Sequence, residues 1–168
     1  MSPNQLFDSG LMSMDVGEEP ISSIMERSVR TILEDSSVDI IMSGCVEGRI
    51  SDLVVVDHDN RYRGMITSFE ILSYINPFMG IHDGRKTMGH SLVVGDCPKA
   101  SDIMNDIHLT ASEDTTISKA LKHMKRDHHS YLVVLDHEKK VIGRLNLCDI
   151  LNYLDGKGII PKSDVCPI

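Results

Sequence analysis

The sequence predicts an α/β chain (α+β in its detailed arrangement) made of two copies of one β-α-β-β-α unit, and three observations carry that prediction. The first is the stretch from Leu53 to Tyr74, LVVVDHDNRYRGMITSFEILSY. A β-branched run ends in the turn residues Asp57-His58-Asp59-Asn60, and a second apolar run starts at Gly64. Thr67-Ser68 then offers a helix cap before Ile71, Leu72 and Ile75, so the stretch reads strand, strand, helix. The second observation is its return from Leu132 to Tyr153, LVVLDHEKKVIGRLNLCDILNY. The third is register. Gly64 and Gly143, Asp57 and Asp136, Glu70 and Asp149, and Tyr74 and Tyr153 are each 79 residues apart, and the same offset gives 16 identities over the 56 positions of 21–76 against 100–155. A constant offset over that length marks a duplication.

Taken in order, residues 1–20 are polar, with Leu6, Phe7 and Leu11 as isolated apolar points, and are expected to form a flexible arm. The first repeat, 21–76, opens with a short lead-in turn at Ile21–Met25 and a weak strand at Val29–Ile32. Ser36-Ser37 cap a helix with Val38, Ile41, Met42 and Cys45 on its inner face. In the second repeat, 100–155, the matching helix follows Thr115-Thr116. It turns Ile117, Ala120, Leu121 and Met124 inward and Lys119, Lys122, His123 and Lys125 outward. Between the repeats, 77–99 is glycine-punctuated and carries the basic pair Arg85-Lys86; its Ser91–Val94 run is a candidate extra strand. Residues 156–168 read as an extended or disordered tail.

Composition sets limits on function. Lys plus Arg is 17 against 25 Asp plus Glu, a net charge of −8, which argues against a nucleic-acid backbone or an anionic membrane as the main partner. Cys45, Cys97, Cys148 and Cys166 form no CxxC pair, the pattern of free thiols in a reducing compartment. With no apolar run of membrane-spanning length, the expectation is a soluble, cytoplasmic chain.

The repeat unit resembles the cystathionine-β-synthase (CBS) domain, and the pair resembles the tandem called a Bateman module. The resemblance rests on Ile24-Met25 and Ile103-Met104, the helix starts Glu34-Asp35-Ser36-Ser37-Val38 and Glu113-Asp114-Thr115-Thr116-Ile117, and the strand ends Val54–Asp57 and Val133–Asp136. The passages Gly64–Glu70 and Gly143–Asp149 complete it. It implies two small sheets packed face to face about a pseudo-twofold axis, with two clefts between the repeats. It further implies adenine nucleotides or adenosyl compounds as ligands, AMP, ATP or S-adenosylmethionine among them, and assembly as a homodimer. In the family pattern, glycine, two apolar residues and Ser/Thr-x-x-Asp supply a hydroxyl to phosphate and a carboxylate to the ribose diol. Carried over by position, that makes Thr67 and Glu70 candidates in one repeat and Asn146 and Asp149 in the other, with Thr110 and Tyr131 as further ligand-binding candidates in the second. The spacing has its own chemistry. A residue at a helix start sits beside free backbone N–H groups, and a carboxylate three positions on can accept from two adjacent hydroxyls.

A competing reading needs no ligand. Thr67-Ser68-Phe69-Glu70 is a literal capping box, which satisfies the helix's own N–H groups. Asp149 keeps the length and charge expected of the ribose position, so the Asp149 cleft is favoured as the nucleotide site. His123, His128, His129 and His137, with His108 nearby, lack the tight spacing of a zinc ligand set and, like His58 in the turn equivalent to that of His137, read as surface and turn residues; an adenine-edge role for His128–Tyr131 is the alternative. Cys148 and its counterpart Phe69 are expected to pack. No nucleophile-base pattern or phosphate-binding glycine loop is present, so no catalytic residue and no resident cofactor or metal is expected. The expected function is a sensor that binds an adenosyl compound and signals to an unidentified protein target. The alternative is a non-binding scaffold acting through its dimer or partner surface.

Overall fold

The structure, a computed structural model, describes residues 16–47, 52–75, 97–105 and 110–160. The arm around Phe7, the basic pair Arg85-Lys86, the Ser91–Val94 strand, His108, Cys166 and the tail beyond residue 160 lie outside the described residues.

The predicted element order occurs twice. After a 310 turn at Ile21–Ser23 come β1 (Thr31–Leu33), α1 (Val38–Val46), β2 (Leu53–Val56), β3 (Tyr62–Ile66) and α2 (Ser68–Ile75). A short helix α3 (Ala100–Ile103) leads to β4 (Thr110–Ser112), α4 (Ile117–Asp127), β5 (Tyr131–Leu135), β6 (Val141–Asn146) and α5 (Leu147–Gly156). The strands form two three-stranded sheets, β1-β2-β3 and β4-β5-β6. In each, the β-branched middle strand, the one paired with a strand on both edges, is the most buried. A helix connects the first strand to the middle one, so the pair runs parallel, with Ile32 beside Val55 and Ala111 beside Val134. The helix starts follow the sequence: the Ser37 and Thr116 side chains accept from the N–H groups of Asp39 and Lys119. His128 closes α4 in the left-handed conformation, at φ 56°.

The chain forms two compact bodies, and these cut across the sequence repeats. One contains the described residues of Val29–His108 and Glu138–Val141; the other contains those of Met1–Ser28, Leu109–His137 and Ile142–Ile168. The lead-in segments account for the difference. In the β1–β3 body, Ala100 N–H donates to the Ser36 carbonyl at 2.8 Å, and Asn105 and Met65 exchange backbone hydrogen bonds at 2.7 and 2.9 Å. In the β4–β6 body, Ile21 N–H donates to the Thr115 carbonyl at 2.8 Å, and Glu26 and Arg144 exchange bonds at 2.9 and 2.8 Å. Each repeat's lead-in thus lies on the other repeat's sheet, adding a one-residue rung to the outer edge of β3 or β6.

The two matched glycines permit this approach. A Cβ on Gly64 would lie 2.6 Å from the Asn105 carbonyl oxygen and 3.0 Å from Met104 Sδ. A Cβ on Gly143 would lie 2.8 Å from Met25 Sδ and 3.1 Å from the Glu26 carbonyl oxygen. Ile-Met and Gly, matched across the duplication, therefore form a plug and its socket. Behind each plug lies an aliphatic core: Ile41, Leu53, Val55, Ile66 and Ala100 in one body, and Ile21, Ile117, Leu132, Val134, Leu145 and Ile150 in the other.

Because the Gly64 obstacle is backbone and the nearest Gly143 obstacle is a flexible thioether, Gly64→Ala is expected to destabilise by about 2–3 kcal/mol and Gly143→Ala by about 1 kcal/mol. Urea unfolding of both variants checks this, and equal or negligible losses would contradict the plug.

Candidate ligand-binding site

The six candidate side chains fall into two groups. Thr110, Tyr131, Asn146 and Asp149 belong to the β4–β6 body, and Thr67 and Glu70 to the β1–β3 body. Thr110 opens β4 and pairs with Val133, two residues beyond Tyr131, which opens β5. Leu147, directly after Asn146, donates its N–H to the carbonyl of Ser130, directly before Tyr131, at 2.7 Å. The start of β4, the start of β5 and the end of β6 therefore meet at one end of this sheet, where α5 begins. All four side chains are half-buried there, anchored but reachable by solvent.

At this end the backbone is turned by a complete capping box. The Asn146 side chain accepts from Cys148 N–H at 3.0 Å, and Asp149 Oδ2 accepts from Asn146 N–H at 2.9 Å. The sequence reading reserved the capping role for Glu70; Asp149 performs it too. Among the described residues this is the sole hydrogen bond of the Asp149 carboxylate, so Oδ1 lies outside the box.

Glu70 is more heavily engaged. Its Oε2 accepts from Thr67 N–H at 2.9 Å and also from the Thr67 hydroxyl, while its Oε1 accepts from Asn105 Nδ2 at 3.2 Å. Both oxygens are occupied. The equivalent of Asn105 in the other body is Glu26, whose Oε2 instead accepts from Arg144 Nε at 2.8 Å and Nη2 at 2.5 Å. The two strand-to-helix passages thus share a backbone and differ in charge. Sequence reading missed Asn105, Glu26 and Arg144. The offset of 79 aligns Glu26 with Asn105 and Met65 with Arg144, but their meeting depends on lead-ins lying on the opposite sheet.

Other candidates resolve locally. The expected packing of Cys148 and Phe69 is corrected: Cys148 is exposed and Phe69 is 75% exposed. Cys45 is half-buried, and burial pushes its thiol pKa up. His58 Nε2 lies 3.2 Å from Asp35 at the surface, and His128 serves as the α4 cap. No group of three His, Cys, Asp or Glu suited to a metal occurs among the described residues. No helix among them is long and apolar enough to cross a membrane.

Two β-α-β-β-α units in register, each with a half-buried polar cap where its third strand meets its last helix, define a duplicated α/β module. The CBS domain model matches residues 21–77 and again residues 100–156, and the chain belongs to the CBS domain family. A CBS domain-containing protein of Dictyostelium discoideum is 27% identical over 135 residues, covering 80% of this chain and 90% of its own length. A homoserine O-acetyltransferase of Methanococcoides burtonii is 28% identical over 130 residues; the match spans 77% of this chain but 23% of that enzyme. Among solved structures, CBSX2 in complex with AMP has a TM-score of 0.67 at 18% identity, over 83% of this chain and 98% of that one. The CBS domain pair of protein MJ0100, in complex with 5'-methylthioadenosine and S-adenosyl-L-methionine, has a TM-score of 0.60 at 20% identity, over 83% and 98%. At these identities the likeness concerns the fold.

Proposed function

We propose that this chain is a cytoplasmic regulatory module that binds an adenine nucleotide or adenosyl compound at the strand-to-helix passage of its second repeat. Occupancy is passed to a protein target as a change of shape or rigidity, with no catalytic step and no resident cofactor or metal. The observation that carries this reading is the convergence of Thr110, Tyr131, Asn146 and Asp149 at one sheet end, with Asp149 Oδ1 outside the capping box. A carboxylate oxygen at that point suits a ribose diol, since it accepts from two hydroxyls and brings charge to both bonds. The AMP and adenosyl compounds in the two CBS-pair structures above support the ligand class. Thr67 and Glu70 remain candidates of lower rank, because each Glu70 oxygen already has a donor. A scaffold that binds nothing is the competing reading, supported by the capping role of both carboxylates.

The reading includes a homodimer. On α2, Phe69 and Leu72 are 75% and 51% exposed, and α5 carries its own exposed pair, Leu147 and Leu151, at 37% and 43%. Pairs spaced by three or four residues share one helix face, and exposed apolar stripes of this kind favour association. Light scattering is expected to show a dimer that Phe69→Ser with Leu72→Ser converts to a monomer; a monomeric parent protein would refute this part.

Calorimetric titration with AMP and S-adenosylmethionine tests the site. Asp149→Ala is expected to weaken binding by roughly ten- to a hundredfold, the loss of a charged acceptor to two hydroxyls. Asp149→Asn keeps an oxygen for the cap and separates lost binding from lost folding. Glu70→Ala is expected to lower stability by about 2 kcal/mol, a cap plus the Asn105 bond, with affinity nearly unchanged. Affinity that follows Glu70 instead, or no adenosyl compound bound at all, would contradict the proposal.

A further inference from the structure

We propose that the ligand of the second-repeat passage carries phosphate, and that Arg144 reads it by exchanging the Glu26 carboxylate for a phosphate oxygen. This rests on the reading that the passage binds an adenosyl compound, and it narrows that class to nucleotides.

Arg144 is the exposed residue of β6 between buried Gly143 and Leu145. Side chains two residues apart share one side of a strand, so Arg144 stands on the same side as Asn146, roughly 7 Å along the backbone. Its guanidinium points two N–H groups at Glu26 Oε2, at 2.8 and 2.5 Å. That planar fork is the geometry with which arginine takes phosphate, and a carboxylate is the side-chain anion that most resembles one. Glu26 is held there by its own backbone rung on Arg144, independent of its side chain. Both side chains of the pair are 44% exposed. An ion pair so open to water contributes little stability, so its exchange for a ligand phosphate costs little, and the released Glu26 carboxylate passes to solvent.

The other body supplies the contrast. There the position of Arg144 is Met65, 3% exposed, and the position of Glu26 is neutral Asn105, whose amide donates to Glu70. The same backbone rung therefore carries a cation with a displaceable anion in one repeat and neither in the other. A capping function alone requires no such cation, because the Asn146–Asp149 box closes without Arg144. Glu26 thus acts as an internal competitor that holds Arg144 in place until phosphate arrives.

Titration calorimetry of the full chain with AMP and with adenosine tests this, alongside melting curves. The parent protein is expected to prefer AMP. Arg144→Gln should weaken AMP by about tenfold or more and leave adenosine within about twofold, abolishing the preference. Glu26→Gln should tighten AMP several-fold and leave adenosine unchanged, an improvement that a merely structural ion pair would not give. Arg144→Lys should retain part of the preference, as a charge without the fork. AMP and adenosine bound equally by the parent, or Arg144→Gln weakening both alike, would overturn the role of Arg144 while leaving the adenosyl site standing. S-adenosylmethionine bound more tightly than AMP and indifferent to Arg144 would do the same. A parent protein that binds none of these compounds would remove the underlying reading and this inference with it.

Discussion

Two backbone rungs hold this fold together: Asn105 on Met65 and Glu26 on Arg144, each closed by a pair of N–H to carbonyl bonds. Both depend on a strand position without a side chain, because a Cβ at Gly64 or Gly143 would collide with the segment that forms the rung. Once a rung is formed, the Ile-Met plug reaches the apolar core behind the sheet: Met25 joins the cluster of Ile117, Leu132 and Ile150, and Met104 packs against that of Ile41, Val55 and Ile66. The rung thus couples an edge hydrogen-bond pair to core burial. It also covers the outer edge of a small three-stranded sheet, an edge that would otherwise present unpaired backbone.

The same rungs determine the chemistry of the candidate site. The residue forming the rung extends toward the start of the last helix, as the bond from Asn105 to Glu70 shows. In one body that residue is an amide and locks the capping carboxylate. In the other it is Glu26, drawn to Arg144, and the capping carboxylate Asp149 keeps an oxygen outside its box. A duplicated backbone therefore presents two unequal surfaces. The difference lies in side chains, Asn105 against Glu26 and Met65 against Arg144 beside the caps Thr67–Glu70 and Asn146–Asp149, and not in any change of topology.

Much of this was legible in the sequence. The periodicity of Leu53–Tyr74 and its return from Leu132 locate both middle strands, both third strands and both last helices, since short β-branched runs ended by Asp-His turns leave little choice. Ser37 and Thr116 mark their helix starts by their chemistry. The assignment of each lead-in was not legible. Ile24-Met25 matches Ile103-Met104, so either could serve either sheet, and only long-range packing decides between them. The cap of Asp149 was hidden for a related reason. Asn-x-x-Asp lacks the Ser/Thr-x-x-Glu signature, yet Asn146 accepts and Asp149 reaches back as well as the longer Glu70 does. The exposure of Phe69 and Cys148 likewise follows from which way α2 and α5 face, which their short sequences, with apolar residues on several sides, do not specify.

The two passages are chemically unequal, and the proposed nucleotide site is the second. An AMP titration followed by backbone amide NMR tests it most directly, because it reports every passage residue in one experiment. Concerted shifts of the Arg144, Asn146, Leu147 and Asp149 amides are expected, with Thr110 and Tyr131 moving along the same binding curve and Thr67 to Glu70 nearly still. Shifts centred on Thr67, Glu70 and Asn105, with the Asn146–Asp149 amides unmoved, would contradict it.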